Sequence, residues 1–286
     1  MSDYVIYADS ACDINTKTLK NWGVSYSELT FMFDGSNREY LNYDIGAKDF
    51  YDSMRAKKTV KTSAVSSGVF YDEFKKILLE GKNILYIGFS SGLSSTFQNA
   101  NMAANDLLEE FPSRKIITVD SLSASTGYGF ILGLAVDKKN EGATMEEVAS
   151  YVEDIKLKIN HWFTVDDITY LQKGGRIGSA AAKVASKIGI KPVLHVNDEG
   201  RLVFRYIVRG KKAAFKALLE EYAQRAKIGG KLYICHCDYP EAVERLAELF
   251  KEHFGVSFDR IEDVGPVIGG HTGPGTVGIF FEGAGR

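Results

Sequence analysis

The sequence predicts an α/β fold in two domains: an N-terminal, mostly parallel sheet with helices on both faces, then a second α/β domain. Three observations carry this. Apolar runs of strand length, ending in small or polar residues, alternate with segments of helical period, the order of strands joined by crossover helices. The pattern changes past the middle of the chain, where strands and helices recur with different spacing. And 286 residues exceed the size at which a single core usually stops growing.

Residues 4–8 read as a buried strand, 84–89 as a second and 115–119 as a third, each followed by a helical pattern. Between the first two, residues 59–67 read as a polar loop before a helix. After the second strand, Phe97, Ala100, Ala104, Leu107 and Phe111 recur at helical spacing, with Ser94, Ser95 and Thr96 available as caps. Residues 123–136 repeat this after the third. Thr144-Met-Glu-Glu147 is a capping box, and Val148, Val152, Ile155 and Ile159 follow on one helical face. That helix closes the first domain, which places the boundary near residue 160 and divides the chain into 1–160 and 161–286.

Beyond it, 161–165 is short and strand-like. A polar, glycine-rich connection from Asp166 to Ser179 then leads into an Ala-rich helix. Residues 202–208, 231–237, 260–264 and 276–281 read as strands, with helices at 211–225 and 241–254 between them.

Composition excludes several classes of function. Thirty-five Lys and Arg nearly cancel 37 Asp and Glu, so no long-range field draws in a nucleic acid. No window approaches the roughly 20 apolar residues that span a bilayer, and no basic leader opens the chain, which predicts a cytoplasmic protein. Cys12, Cys235 and Cys237 are too few for a disulfide framework. Cys235-His236-Cys237 lacks a second cysteine pair to complete a zinc site, so a structural role is expected. No G-x-G-x-x-G follows the first strand, which argues against a dinucleotide. Lys173-Gly-Gly-Arg176 lacks P-loop spacing and reads as a turn with an exposed arginine. Without heptads or edge-strand signals, the expected state is a monomer.

In open α/β sheets ligands gather beyond the carboxyl ends of the strands, and here those positions are hydroxylic: Asp9-Ser10, the 90–96 stretch, Asp120-Ser121, with the 59–67 loop adding more. Each alone is an ordinary cap or turn. Together, beside helix N-termini, they suit a small anion such as a carboxylate. Gly265 to Gly278 sets His271 among glycines; it reads either as a sharp connection between strands or as a charged donor to that anion. A rival constellation is a serine esterase, because Gly88-Phe-Ser90-Ser-Gly92 matches a nucleophile elbow between a strand and a helix, with Asp120 or Asp263 and His271 completing a triad in chain order.

Asp9-Ser10, Lys61-Thr62-Ser63, Ser91-Gly-Leu-Ser94, Val119-Asp-Ser121, Tyr170-Leu-Gln-Lys-Gly-Gly-Arg-Ile177 and His271-Thr-Gly-Pro-Gly275 run in order across nearly the whole chain. This set resembles the DegV family. Two positions depart from the usual pattern: Ala64-Val65 stand where the family commonly has Pro, and Ser95 where it has Gly. The resemblance implies a fatty acid such as palmitate lying in a tunnel, its carboxylate near the domain junction. It further implies a carrier without chemistry or cofactor of its own, which presents the acyl chain to a separate fatty acid kinase subunit for acyl phosphate formation and phospholipid synthesis. By the same resemblance, Thr62 and Ser94 are the carboxylate's hydroxyl donors, His271 and Arg176 lie in the polar network around them, and Ser63 and Thr272 are adjacent. Arg205 and Arg209 would face the partner.

Overall fold

The computed structural model describes residues 3–177 and 189–286. The Ala-rich helix expected after Ser179 lies outside the described residues. The first half is built on a four-stranded parallel sheet of β1 (Tyr4–Asp9), β2 (Ser25–Ser27), β6 (Asn83–Gly88) and β7 (Ile116–Asp120), in the order β2-β1-β6-β7. β6 is buried at every position, as a parallel strand covered on both faces must be. Helices α3 (Ser67–Leu79) and α4 (Thr96–Glu110) pack together over one face, while α5 (Ser125–Asn140) and α6 (Met145–Ile155) take the other. The capping box read at Thr144 and Glu147 is present in both of its hydrogen bonds.

A second sheet of six strands follows: β8 (Ile159–Thr164), β9 (Ile190–Val196), β10 (Leu202–Arg209), β11 (Leu232–His236), β12 (Arg260–Asp263) and β13 (Val277–Glu282), in the order β10-β9-β8-β13-β11-β12. All pairs are antiparallel except β11 with β12. Side chains alternate across its faces. Trp162, Leu232, Ile234, Val277, Ile279 and Phe281 join the outer cluster under α8 (Lys211–Arg225) and α9 (Pro240–Phe254), whereas Tyr233, Cys235 and Phe280 join the core of the first half.

Helix α5 lies between the two sheets and is buried on nearly every side, so the one-faced helical spacing read at 123–136 gives way to a helix without an amphipathic stripe. Two of its glycines let neighbours approach: a Cβ at Gly127 would meet His161, and one at Gly129 would meet Ile14.

Sequence reasoning missed β2 and β9, and one unit entirely. β3 (Thr30–Phe33), β4 (Glu39–Leu41) and β5 (Val60–Ser63) form a small antiparallel sheet in the order β4-β3-β5, packed through Phe31 and Phe33 against Phe50 of α2 (Ala47–Arg55), with Tyr40 against Phe31 and Phe33. The first part of the polar loop read at 59–67 is therefore a strand, and a short loop at 64–66 then leads into α3. The stretch around His271 also differs from expectation: Pro266–Thr272 is a helix, α10, rather than a tight connection between strands.

Candidate functional site

A cavity of about 280 Å³ lies where the small sheet, α10 and the first parallel sheet meet the inner face of the six-stranded sheet. Leu29, Phe89, Phe163, Val264, Val267 and Phe280 give it an apolar body. Thr62, Ser63, Ser94, Arg176, His271 and Thr272 also line it. These six come from β5, the approach to α4, the connection after α7 (Thr169–Lys173), and α10.

The polar group centres on His271, whose Nε2 lies 2.8 Å from Thr62 Oγ1. Close backbone approach makes that pair possible. A Cβ at Gly269 would strike the Tyr51 hydroxyl, and one at Gly270 would lie 2.7 Å from Val60 Cγ2, so α10 can lie flat on α2 and β5 only with glycine at both. From the other side Gly174 abuts the imidazole so closely that a Cβ there would overlap Nδ1. Nδ1 is buried and has no hydrogen-bond partner among the described residues. Burial, and after it the Arg176 charge, push His271 down to about 4, so the ring is neutral near neutral pH.

The remaining members are held less tightly. Ser94 Oγ is 2.9 Å from Thr96 Oγ1 and accepts from the Thr96 N–H, at the first turn of α4. Ser63 is exposed, as is Arg176, whose Nε donates to the Leu93 carbonyl at 3.4 Å. Thr272 is buried, and its hydroxyl donates to Ile268 O at 3.3 Å with Cys237 Sγ at 3.4 Å. It is turned toward its own helix. Arg205 and Arg209 lie away from the cavity lining, exposed with Ile207 on edge strand β10.

The esterase arrangement is not assembled. Ser90 is fully buried, donates to the Gly200 carbonyl at 2.8 Å and accepts from Gly92 N–H. Asp120 accepts from the N–H groups of Ser91 and Leu122, and Asp263 lies 3.5 Å from His236 rather than beside His271. Most other post-strand hydroxyls likewise serve the fold. Ser10 accepts from Leu29 N–H, Ser121 accepts from Ser123 N–H, and the Ser123 hydroxyl meets the Arg286 guanidinium, which also donates to the carbonyls of Leu122, Lys156, Ile159 and Asn197. Asp9, raised to about 6 by burial, accepts from Phe89 N–H, Ala11 N–H and the Tyr86 hydroxyl.

Residues with no sequence signal complete the site. Asp13, Asn42 and Tyr51 hold α10 and the residues just before it, through Gly265 N–H, Val267 N–H and the Val264 carbonyl. His161 and Ser125 line the cavity. His161 Nδ1 sits 2.9 Å from the Ile159 carbonyl and so carries the proton, because a carbonyl only accepts. Burial drives its pKa well below the ordinary range, leaving a neutral ring edge-on to Phe280. Among the described residues no group of three or more His, Cys, Asp or Glu could hold a metal ion, and no helix is long and apolar enough to cross a membrane.

The family model described as "Uncharacterised protein, DegV family" matches residues 4–284. A DegV domain-containing protein of Clostridium perfringens is 37% identical over 288 residues, spanning 99% of this chain and 98% of that one. Another, from Lactococcus lactis, is 33% identical over 279 residues, 97% of this chain and 96% of the relative. Among solved structures, a DegV family protein from Thermus thermophilus, described by its fatty acid binding, superposes with a TM-score of 0.86 at 28% identity, over 99% of this chain and all of that one (100%). A stearic acid-binding protein from Eubacterium ventriosum superposes at 0.89 over 98% of both chains; at 24% identity the likeness is one of fold.

Proposed function

Because the chain belongs to the DegV family, we propose that it binds a long-chain fatty acid such as palmitate, with the carboxylate at the polar end of the cavity and the acyl chain along its apolar body. The observation that carries this reading is the Thr62–His271 pair, 2.8 Å apart, on the wall of a cavity whose body is formed by Leu29, Phe89, Phe163, Val264, Val267 and Phe280. Tail and head then have separate tasks. Each buried CH₂ is worth about 0.8 kcal/mol, so a dozen outweigh the about 1.5–3 kcal/mol of one hydrogen bond to a charged group. The tail sets affinity. The head sets orientation, since a buried carboxylate without donors is strongly disfavoured.

In this reading Thr62 and Ser94 donate hydroxyls to the carboxylate, His271 and Arg176 complete the polar network, and Ser63 and Thr272 flank it at the junction of 1–160 and 161–286. The protein makes and breaks no bonds and needs no cofactor. It acts as a cytoplasmic, monomeric carrier that presents the acid to a separate fatty acid kinase subunit, Arg205 and Arg209 facing that partner, and the acyl phosphate so formed enters phospholipid synthesis.

Two measurements test it. Native mass spectrometry of freshly purified protein is expected to show one bound fatty acid, and the delipidated protein is expected to take up palmitate, more weakly in Thr62→Ala and Ser94→Ala that remain folded. With a fatty acid kinase subunit and ATP, palmitoyl phosphate should form only when this chain is present. A folded protein that ignores palmitate ends the reading; one that binds but supports no phosphorylation ends the carrier role alone.

A further inference from the structure

The helix that carries His271 is held from outside itself. α10 has seven residues, two of them glycine, and its N-cap, Gly265, offers no side-chain cap; each interior glycine costs about 1 kcal/mol of helix stability. Side chains remote in sequence meet its first N–H groups instead. Asp13 Oδ1 accepts from Gly265 N–H at 3.0 Å, and Asn42 Oδ1 accepts from Val267 N–H at 3.0 Å.

Both acceptors are fixed in turn on the first half of the chain. The second Asp13 oxygen takes the Ser125 hydroxyl at 2.5 Å, and the Asn42 amide donates to the Ser10 carbonyl at 3.3 Å. Asp13 and Ser125 are both non-glycine residues with left-handed backbone, φ 49° and 51°, a conformation that surrounding structure must enforce. Their meeting in one hydrogen bond marks a point where the fold is over-determined. Gly265 completes the fit, for a Cβ there would come within 2.7 Å of Asn42 Nδ2 and 2.8 Å of Asp13 Oδ1.

We infer that Asp13 and Asn42 are positioning residues of the headgroup site: by gripping the N-terminus of α10 they set the pose from which His271 reaches Thr62. For its ligand this rests on the fatty acid reading; for the pose of His271 it does not.

The test compares the full chain with Asp13→Ala, Asp13→Asn and Asn42→Ala, each alone and combined with His271→Gln. Palmitate affinity, affinity for hexadecanol, which lacks the carboxylate, and the ¹⁵N resonances of the His271 imidazole are read for each. Loss of a side-chain acceptor at a helix N-terminus corresponds to a roughly tenfold loss of palmitate affinity. The expected result is that loss in Asp13→Ala and Asn42→Ala, with hexadecanol unchanged and the His271 resonances shifted even without ligand. Asp13→Asn, which keeps an oxygen for Gly265 N–H, restores both, and with His271→Gln in place neither alanine variant weakens palmitate further. Unmoved resonances in the folded alanine variants, a loss of equal size for hexadecanol, or an undiminished loss in the His271→Gln background overturns the proposal. Should Asp13→Ala fail to fold, Asn42→Ala decides by the same criteria. Should the wild type take up no palmitate, the fatty acid reading falls while the resonances still decide the positioning.

Discussion

His271 is uncharged near neutral pH because burial and the Arg176 guanidinium both oppose its protonation. A ligand carboxylate arriving within hydrogen-bond reach favours the charged ring, so the histidine's pKa is higher in the complex than the about 4 it has without ligand. Binding then takes up a proton in the window between those two values, and there affinity rises as pH falls, by at most about tenfold per pH unit for one coupled proton. Palmitate affinity measured at pH 8, 7 and 6 should strengthen in the wild type and stay flat in His271→Gln; a flat wild-type profile removes a charged His271 from the grip. Motifs in the sequence led to six residues that line the cavity, Thr62, Ser63, Ser94, Arg176, His271 and Thr272, and not to Ser125, His161 or Thr276, which line it too. Those motifs could not separate the six from Ser90 or Ser121, because a hydroxyl after a strand looks the same whether it caps a turn, docks a hairpin or faces a ligand. Asp13 and Asn42 gave no signal, since what they hold lies 252 and 225 residues away.

Elements were legible where length and period agreed. β6, β7, α4, α8 and α9 all lie within a residue or two of their expected limits, because apolar runs of strand length and helical segments of about 15 residues are bounded by turn residues. The three-stranded sheet was not, because strands of three or four residues carry too little alternation to register. α10 failed for a different reason: with Gly269 and Gly270 inside a helix of seven residues, its own propensity opposes a helix even though Pro266 suits its first position, and docking on α2 and β5 decides the matter. That docking predicts a specific pair of effects. Gly269→Ala drives a methyl into the Tyr51 hydroxyl and breaks the Tyr51 bond to the Val264 carbonyl, costing about 1–3 kcal/mol as overpacking of a closed site does. Thermal unfolding should show a lower melting temperature in Gly269→Ala and a partial recovery when Tyr51→Phe removes the obstructing oxygen. Equal melting of wild type and Gly269→Ala would mean that α10 does not rest on Tyr51.

At the scale of the molecule, the cavity wall is shared: Leu29, Phe89 and Ala124 come from the first half of the chain, Phe163, Val196 and Phe280 from the six-stranded sheet. An acyl chain filling it makes dispersion contacts with both halves at once, so ligand binding stabilises the folded chain as a unit rather than one domain. At a free concentration 100-fold above the dissociation constant, that stabilisation is about 2.7 kcal/mol, or roughly a 4–5 °C rise in melting temperature for a chain of this size. Octanoate presents the same carboxylate to Thr62 and His271 but has eight fewer methylenes to bury, about 6 kcal/mol less on the burial scale. Delipidated protein should therefore melt later with palmitate and not with octanoate at equal concentration, and a single cooperative transition should persist with ligand bound. A rise of equal size with octanoate would mean that the polar wall alone carries affinity, and would leave the apolar body of the cavity without the role given to it.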